Sequence, residues 1–325
     1  MSKCLVGVSV VKNEADIIEA SVRHNLRFLD RLIVLDHDSA DATNDILRSL
    51  VAEGLSLSLV EVQAYPVFKQ GDWTTMLAQK AFREHAADYV FPLDADEFLR
   101  VDSRETLDDS LARAHAPVMS LRWPTYVRIG AEPGHPLREL RWRVNAENSS
   151  PLHKVVLSRQ LANGASWKLG EGNHLLFSEA GKDVKWDSGT DSLLPDVELA
   201  HLPLRSPEQL RAKVLIGWLV RKLNYGAAAD TTLRNWHFRE LYGRIMRGGA
   251  VTYADVHDYA IAVYAFARNL DEVDLAQARL VEDQFAELMP LRYTPAEPVK
   301  SELMLAAWAS SLVERISQTA AARAV

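Results

Sequence analysis

The first hundred residues alternate between short apolar runs and segments with helical periodicity, and this alternation constrains the fold more than any other feature. Leu5 to Val11 is a β-branched apolar run, and Arg31 to Asp36, Leu57 to Val62 and Tyr89 to Leu93 repeat the pattern. Helical segments separate these runs, the last of them over Asp72 to His85. Since strands that alternate with helices form mostly parallel sheets with right-handed crossovers, the sequence predicts an α/β fold.

The pattern changes in the segment from residue 117 to residue 201. Strand-like pieces at Val118 to Leu121, Lys154 to Leu157 and Val197 to Ala200 lie among Gly-, Pro- and Asn-rich stretches. This favours a mixed sheet with long loops. The stretch from Glu171 to Pro195 is rich in Gly, Asp and Ser, and we expect it to form a lid, because long loops are often functional.

The remainder of the chain has helical periodicity. Ser206, Pro207 and Gln209 form a helix start with a serine cap, proline in the first turn and glutamine three residues after the cap, and the helix is predicted to reach Leu223. Further helices are predicted over 235–247, 253–270, 274–288 and 302–322.

Composition limits the possible partners and the compartment. The net charge of −7 argues against a general nucleic-acid binder, which would present a basic face. The single cysteine, Cys4, excludes an intrachain disulfide and fits a reducing compartment, where we expect it to be a buried structural residue. No run of about 18 apolar residues is present, so no membrane span is predicted. We therefore expect a cytoplasmic protein.

Three carboxylates follow the fourth apolar run directly, at Asp94, Asp96 and Glu97. In open α/β sheets, ligands bind beyond the carboxyl ends of the strands, and alternate residues point the same way. Two hard oxygen ligands at this spacing suit Mg²⁺ or Mn²⁺, and such an ion suits a diphosphate. The alternative is a solvated turn or a helix cap.

Polar residues also follow the first two strands. Asp36 ends the second strand, where an acid can accept hydrogen bonds from a base or ribose. Asn13 and Glu14 follow the first strand and should lie at the same edge. Each of these residues can instead cap the next helix, a role that we expect of Ser39 or Asp41.

A second cluster lies downstream. His201 can ligate the same metal as Asp96 or bind a phosphate, and Arg205 lies beside a helix N-terminus, where phosphate oxygens are attracted. Lys154 can balance phosphate charge or be exposed. His174 either contacts a substrate or belongs to a surface loop.

Taken in order, these motifs resemble the family 2 glycosyltransferases. The matching segments are K-N-E at 12–14, D-H-D-S-A-D at 36–41, D-A-D-E-F at 94–98 and H-L-P-L-R-S at 201–206. The resemblance covers roughly Leu5 to Leu223. His37 departs from the pattern, which usually has Asn or Asp there, and this bears on recognition of the base.

The resemblance implies a GT-A-like fold, a UDP- or GDP-sugar donor, a carbohydrate or glycoconjugate acceptor, and Mn²⁺ or Mg²⁺ as cofactor. Residues 1–223 would form the transferase domain, with a nucleotide-binding half at 1–100 and an acceptor and metal half at 101–205. Residues 224–325 would be a helical C-terminal extension. The expected role is polysaccharide or glycoconjugate biosynthesis.

The resemblance also assigns residues to roles. Asp94, Asp96 and His201 are the expected metal ligands. The expected nucleotide-sugar-binding residues are Val11, Asn13, Glu14, Asp36, Ser39, Asp94, Lys154 and Arg205. The expected catalytic residues are Asp96, Glu97, Glu171 and Asp187.

The reaction implied is an inverting displacement, which needs a general base for the acceptor hydroxyl. Glu97, Glu171, Asp187 and Asp191 are the candidates. Two other functions stay open: a nucleotidyltransferase of similar fold, which attacks phosphorus rather than a sugar carbon, and a non-catalytic scaffold that binds partners through its helical tail.

Overall fold

The structure is a computed structural model. It describes residues 3–60, 70–114, 116–129, 135–145, 152–163, 166–178, 184–187, 192–225, 236–265, 273–280, 289–296, 300–306, 308–310 and 312–313. The strands are β1 (Leu5–Val11), β2 (Arg31–Asp36), β3 (Leu57–Val60), β4 (Tyr89–Pro92), β5 (Glu97–Arg100), β6 (Val118–Arg122), β7 (Trp142–Val144), β8 (His153–Ser158), β9 (Trp167–Leu169), β10 (Leu175–Ser178), β11 (Val184–Asp187), β12 (Leu193–His201) and β13 (Leu275–Gln277). The helices are α1 (Ile18–Asn25), α2 (Thr43–Ala52), α3 (Gln70–Glu84), α4 (Arg104–Ala114), α5 (Pro136–Glu139), α6 (Pro207–Tyr225), α7 (Trp236–Met246) and α8 (Tyr253–Tyr259).

Eight of the described strands form one large sheet in the order β3-β2-β1-β4-β8-β6-β12-β5. Pairing is parallel across β3, β2, β1 and β4, and again between β6 and β12. The three other pairings, β4 with β8, β8 with β6, and β12 with β5, are antiparallel. The predicted α/β fold with a mostly parallel central sheet is confirmed.

Helices cover both faces of the sheet formed by β1 to β4, because these strands carry apolar residues on both sides. Val6, Val8 and Val10 of β1 pack in one cluster with Leu77 of α3. Leu5 and Val11 face the opposite layer, which contains α1 and α2. The carboxyl ends of β1, β2 and β4 therefore open at one edge, which the helices leave accessible.

The start of α6 agrees with the prediction. The backbone N–H of Gln209 donates to the Ser206 hydroxyl at 3.1 Å, and the Arg205 N–H donates to the Gln209 side-chain oxygen at 3.3 Å. These bonds satisfy donors that a helix N-terminus otherwise leaves unpaired. Helix α6 continues to Tyr225 and packs with α7 and α8 in a third apolar cluster.

One element prediction in the C-terminal part was wrong, and a second differs in its helix type. The predicted helix over 274–288 contains strand β13, which pairs antiparallel with β7, so that Leu275 lies opposite Val144. A short apolar segment can form either element, and here pairing with a distant strand decided the outcome. The helix predicted over 253–270 is α8 followed by a π-helical turn, Ala260–Tyr264. Residues 266–270 and 281–288 lie outside the described residues.

The segment predicted as a lid, Glu171 to Pro195, contains β10 and β11, which form a three-stranded sheet with β9. The described part of this segment is therefore not a structureless loop. The third strand is described as far as Val60, and residues 61–69, which include its predicted end at Val62, lie outside the described residues.

C-terminal residues pack back onto the first half of the chain. The buried carboxylate of Glu19 in α1 accepts hydrogen bonds from the backbone N–H groups of Arg292, Tyr293 and Thr294 at 2.8–2.9 Å. These bonds outweigh the effect of burial and hold the pKa of Glu19 below its usual range. None of the described helices is both long enough and apolar enough to span a bilayer.

Candidate active site

A cavity of about 500 Å³ opens at the carboxyl ends of β1 and β4. Its walls come from the loop after β1, the Asp94–Asp96 segment, β8, the end of β12 and one face of α6. The polar residues that follow the strands were predicted to lie at this edge of the sheet.

The loops after β1 and β2 are joined by the side chains of the second motif. The Asn13 N–H donates to the Ser39 hydroxyl at 2.9 Å, the Glu14 N–H donates to the Thr43 hydroxyl at 2.8 Å, and the Ala15 N–H donates to Asp41 at 3.1 Å. Asn13 has a φ of 58°, a left-handed conformation that asparagine tolerates better than most residues. The side chains that follow β2 therefore fix the backbone of the loop after β1.

The expectation that Ser39 or Asp41 is the N-cap of the next helix was wrong. The N-cap of α2 is Ala42, and no side chain caps it. Asp41 lies one residue earlier and accepts a hydrogen bond from the Thr43 N–H at 3.0 Å.

Asp36 lies at the end of β2, half-buried, and accepts hydrogen bonds from its own loop. Its carboxylate accepts from the hydroxyl and the N–H of Ser39 and from the side-chain amide of Asn44 at 3.1 Å. Neither Asp36 nor Ser39 lines the cavity.

Asp94 is held by a buried lysine. One oxygen of Asp94 lies 2.7 Å from Lys154 Nζ, and the other accepts from the Gln70 side chain at 2.6 Å. Lys154 is 1% exposed and also lies 2.7 Å from Glu97. Burial alone would lower the pKa of Lys154, but Asp94 and Glu97 raise it overall, so the ammonium stays charged.

Glu97 is fully buried beneath this pair and outside the cavity lining. Its oxygens accept from Trp123 Nε1 at 2.7 Å, from the Asp94 N–H at 2.8 Å and from Lys154. Burial raises the pKa of Glu97, whereas three donors favour its ionised form. With its oxygens engaged in this way, Glu97 positions Asp94 and Lys154 and does not reach a substrate.

Asp96 lines the cavity and is 6% exposed. Three nitrogens surround its carboxylate: His201 Nε2 at 3.7 Å, Arg205 Nη1 at 3.8 Å and Lys213 Nζ at 3.9 Å. Burial alone would raise the pKa of Asp96, but His201, Lys213 and Arg205 hold it below its usual range. All three distances exceed a hydrogen bond, so Asp96 is a buried, ionised carboxylate that can accept a further ligand.

His201 is oriented by aromatic rings. Its ring stacks on Trp123 with centroids 4.2 Å apart and meets Tyr264 edge-on at 5.4 Å. Burial lowers the pKa of His201, although the nearby Asp96 carboxylate opposes the shift. Trp123 thereby contacts both His201 and Glu97.

Arg205 is the residue before the Ser206 cap of α6, and its side chain pairs with two carboxylates. Its guanidinium donates to Glu14 at 2.5 Å and to Asp16 at 2.7 Å. Loss of water contact raises the pKa of Glu14 to about 7, although Arg205 opposes the shift. Arg205 therefore connects the first loop to α6 and does not line the cavity.

The Asp96 and His201 side chains fit a metal ion whose remaining ligands come from a bound molecule. Among the described residues, no group of three or more His, Cys, Asp or Glu side chains is placed to hold an ion by itself. Mg²⁺ at phosphate sites uses one or two carboxylates and completes its shell with substrate phosphates and water, and Mn²⁺ prefers similar oxygen ligands. The Asp96 carboxylate and His201 Nε2 face each other 3.7 Å apart, a spacing that suits such a partial set. Both oxygens of Asp94 are already engaged.

Some of the predicted site residues lie together and some do not. Those that line the cavity are Val11, Asn13, Glu14, Asp94, Asp96, Lys154 and His201. Glu171 is exposed and accepts from the Gly71 N–H at 3.4 Å. Asp187 belongs to β11, the orientation of its side chain is not described, and Asp191 lies outside the described residues.

His174 also lines the cavity, rather than belonging to a surface loop. Its Nδ1 lies 2.7 Å from the His153 carbonyl, and burial lowers its pKa to about 4. Its ring meets Trp123 edge-on, with centroids 5.0 Å apart. Gly172 has a φ of 74°, and a Cβ at that position would lie 2.8 Å from the His174 ring, so glycine is needed for this arrangement.

Sequence reasoning missed several cavity residues. Gln70, Trp123, Lys213 and Tyr264 come from four separate elements. Only Lys213 had a local signal: it lies four residues after Gln209, and residues four apart share one helix face. The others come together only through the tertiary fold.

Comparison with known proteins gives structural matches alone. No protein-family model and no curated protein matches the chain. The S. aureus TarS 1–349 structure in complex with UDP-GlcNAc matches with 14% identity, a TM-score of 0.38 and coverage of 67% of this chain and 66% of that one. The chain spans 65% of the length of TarS 1–349 determined without a named ligand.

Two further solved structures match. Mannosyltransferase PcManGT from Pyrobaculum calidifontis, in complex with GDP-Man and Mn²⁺, matches with 17% identity, a TM-score of 0.36 and coverage of 99% of this chain and 80% of that one. Glucosyl-3-phosphoglycerate synthase from Mycobacterium tuberculosis, with Mn²⁺, UDP and glucosyl-3-phosphoglycerate, matches with 17% identity, a TM-score of 0.31 and coverage of 53% and 62%.

Proposed function

We propose that this protein is a metal-dependent glycosyltransferase that moves a sugar from a UDP- or GDP-sugar to a hydroxyl of a carbohydrate or glycoconjugate. One observation carries the proposal. The buried Asp96 carboxylate and His201 Nε2 face each other 3.7 Å apart in a cavity at the carboxyl ends of parallel strands, where α/β proteins bind nucleotides. The motif resemblance supports the same reading.

Asp96 and His201 would hold the Mn²⁺ or Mg²⁺, which supplies a Lewis acid at the diphosphate. Lys213 lines the same wall with its ammonium 5.1 Å from the Tyr264 ring, and it offsets negative charge that develops on the leaving group. Asn13 and Glu14 line the donor end, and Lys154 holds Asp94 in its position.

The reaction is a single displacement with inversion. The acceptor oxygen forms a bond to the anomeric carbon, the bond from that carbon to the phosphate oxygen breaks, and its electron pair leaves with the nucleoside diphosphate. The hydroxyl proton passes to a base. Glu171 and Asp187 are the candidates for this base, because the oxygens of Glu97 are engaged by three donors.

The test is thermal stability with UDP and GDP, each with and without Mn²⁺, followed by product analysis. A ligand that binds only the folded state at 100 times its Kd stabilises by about 2.7 kcal/mol. We expect metal-dependent stabilisation by one nucleotide, lost in Asp96→Ala and kept in Asp109→Ala, whose aspartate is exposed.

Product analysis separates the reactions. Release of a nucleoside diphosphate from a nucleotide sugar agrees with the transferase. Release of pyrophosphate from a nucleoside triphosphate identifies a nucleotidyltransferase, and the absence of any nucleotide effect contradicts both.

A further inference from the structure

The cavity has a second end that the donor chemistry does not use. Beyond Lys213 its lining is apolar and comes from two helical faces. One face belongs to α6, and the other to the helical stretch that begins at residue 301. The residues that line this end are Ala212, Ile216, Val220, Met304, Trp308 and Leu312.

The apolar end is long. Gln209 and Val220 both line the cavity and are eleven residues apart on α6, which corresponds to about 16 Å along the helix. Met304, Trp308 and Leu312 recur every four residues, the spacing of a single helix face. The two faces therefore form a groove that leads away from Asp96.

The C-terminal stretch is attached to α6 at its start. The Ser301 N–H donates to Glu208 at 3.0 Å, and Arg211 pairs with Glu302 at 3.1 Å. Met304, one turn further on, is 6% exposed. The wall is thus anchored near the donor end, and Ile216, Val220, Trp308 and Leu312 further along are only half-buried.

An apolar ligand that displaces water from an open apolar cavity gains about 25 cal/mol of binding free energy for each Å² of apolar surface that it buries. A nucleoside diphosphate and a hexose are polar and do not require such a wall. We infer that the acceptor is amphipathic, with its reacting hydroxyl beside Asp96 and Lys213 and an aliphatic chain lying along α6. The inference rests on the proposed function, because it names the acceptor of that site.

The test uses soluble n-alkyl β-glucosides as probes, below the concentrations at which they form micelles, with binding measured by calorimetry. We expect affinity to rise with chain length from methyl to octyl, by up to about fourfold for each methylene that is fully buried. Val220→Asp should abolish this dependence. Leu223→Asp is the matched control, since Leu223 lies on the same helix, is 56% exposed and is outside the cavity lining.

A second variant, Val220→Thr, keeps the β-branched shape and replaces one methyl group with a hydroxyl, so it serves if Val220→Asp does not fold. Equal binding of methyl and octyl glucosides, or equal losses in Val220→Asp and Leu223→Asp, overturns the inference. Titration with UDP and GDP plus Mn²⁺ in the same proteins separates the two proposals. Nucleotide binding without chain-length dependence leaves the proposed function intact, and chain-length dependence without nucleotide binding overturns the acceptor role.

Discussion

The polar end of the cavity and its apolar end differ in how their side chains are held in place. At the polar end, Asp94, Asp96 and Glu97 lie 2.7–3.9 Å from the cationic groups of Lys154, Arg205 and Lys213. At the other end, apolar side chains on two helices line an open groove without directional bonds. Ion pairs in a buried site require specific geometry, whereas apolar contacts adapt to the shape of what they bind. The first arrangement suits a fixed reaction geometry, and the second suits a ligand of variable shape.

The largest effect is expected from removing the buried cation of the polar end. Lys154→Met leaves Asp94 and Glu97 without their shared partner in a buried site, which should cost about 3–5 kcal/mol of unfolding free energy. Urea denaturation measures this cost. Lys80→Met is the control: its exposed pair with Glu84 should contribute at most about 1 kcal/mol. Similar losses of unfolding free energy in the two variants would show that the buried pairs of Lys154 do not stabilise the polar end.

Asp96→Asn should act on turnover rather than on the fold. Removing one preformed charge from a reaction site lowers kcat by about 10²–10³-fold, and we expect a loss of that size in sugar transfer. The protein should still fold, but its thermal midpoint without ligands should fall, because nitrogens 3.7–3.9 Å away stabilise the Asp96 charge in the folded state. Asp109→Asn is the exposed control. Unchanged turnover in Asp96→Asn would remove this residue from the proposed mechanism.

His174 provides a pH test of the polar end. Burial lowers its pKa from an ordinary value of 6.5 to about 4, so below pH 6.5 the unfolded chain binds a proton that the folded chain does not. This contribution to the free energy of unfolding is complete above pH 6.5. It decreases by about 1.4 kcal/mol per pH unit as the pH falls towards 4. His174→Gln should show a shallower loss in denaturation experiments across this range.

The comparison for that experiment is His257→Gln, because the His257 side chain in α8 is 38% exposed. If His257→Gln changes the pH dependence as much as His174→Gln does, the acid sensitivity does not come from the cavity.

The smallest effect is expected at the apolar end. Met304→Ala should cost about 2 kcal/mol, the low end for a buried methionine, because part of its surroundings is open cavity. Nucleotide affinity should not change. Its neighbour Leu303 is 63% exposed, and Leu303→Ala should stay within about 0.5 kcal/mol of the wild type in the same melts. A large fall in nucleotide affinity in Met304→Ala would mean that the two ends do not act separately.

Local patterns predicted the first half of the fold well. The strands β1, β2 and β4 were expected from apolar runs, and the start of α6 from its cap, because both signals lie within a few neighbouring residues. Strand β5 begins within the acidic motif, at Glu97, but was not predicted. Its four residues become a strand by pairing with β12, where His201 lies opposite Glu97. That pairing also carries His201 towards Asp96.

Within the site, the sequence indicated which residue types mattered more reliably than what each one does. Asp94, Asp96 and His201 line the cavity, whereas Glu97, Arg205 and Ser39 make their contacts outside its lining. A spacing pattern places a side chain at an edge, yet it does not show which donor will reach that side chain. Trp123 had no local signal, although it contacts both His201 and Glu97.

The sequence by itself determined the alternation of strands and helices, the edge where the acids emerge and the starting point of α6, since each depends on residues close together in the chain. Only the tertiary structure decided that Lys154 neutralises Asp94, that Lys213 joins Asp96, and that the C-terminal stretch covers α6. These contacts join residues far apart in sequence. Their formation depends on the packing of the whole sheet, which no local pattern records.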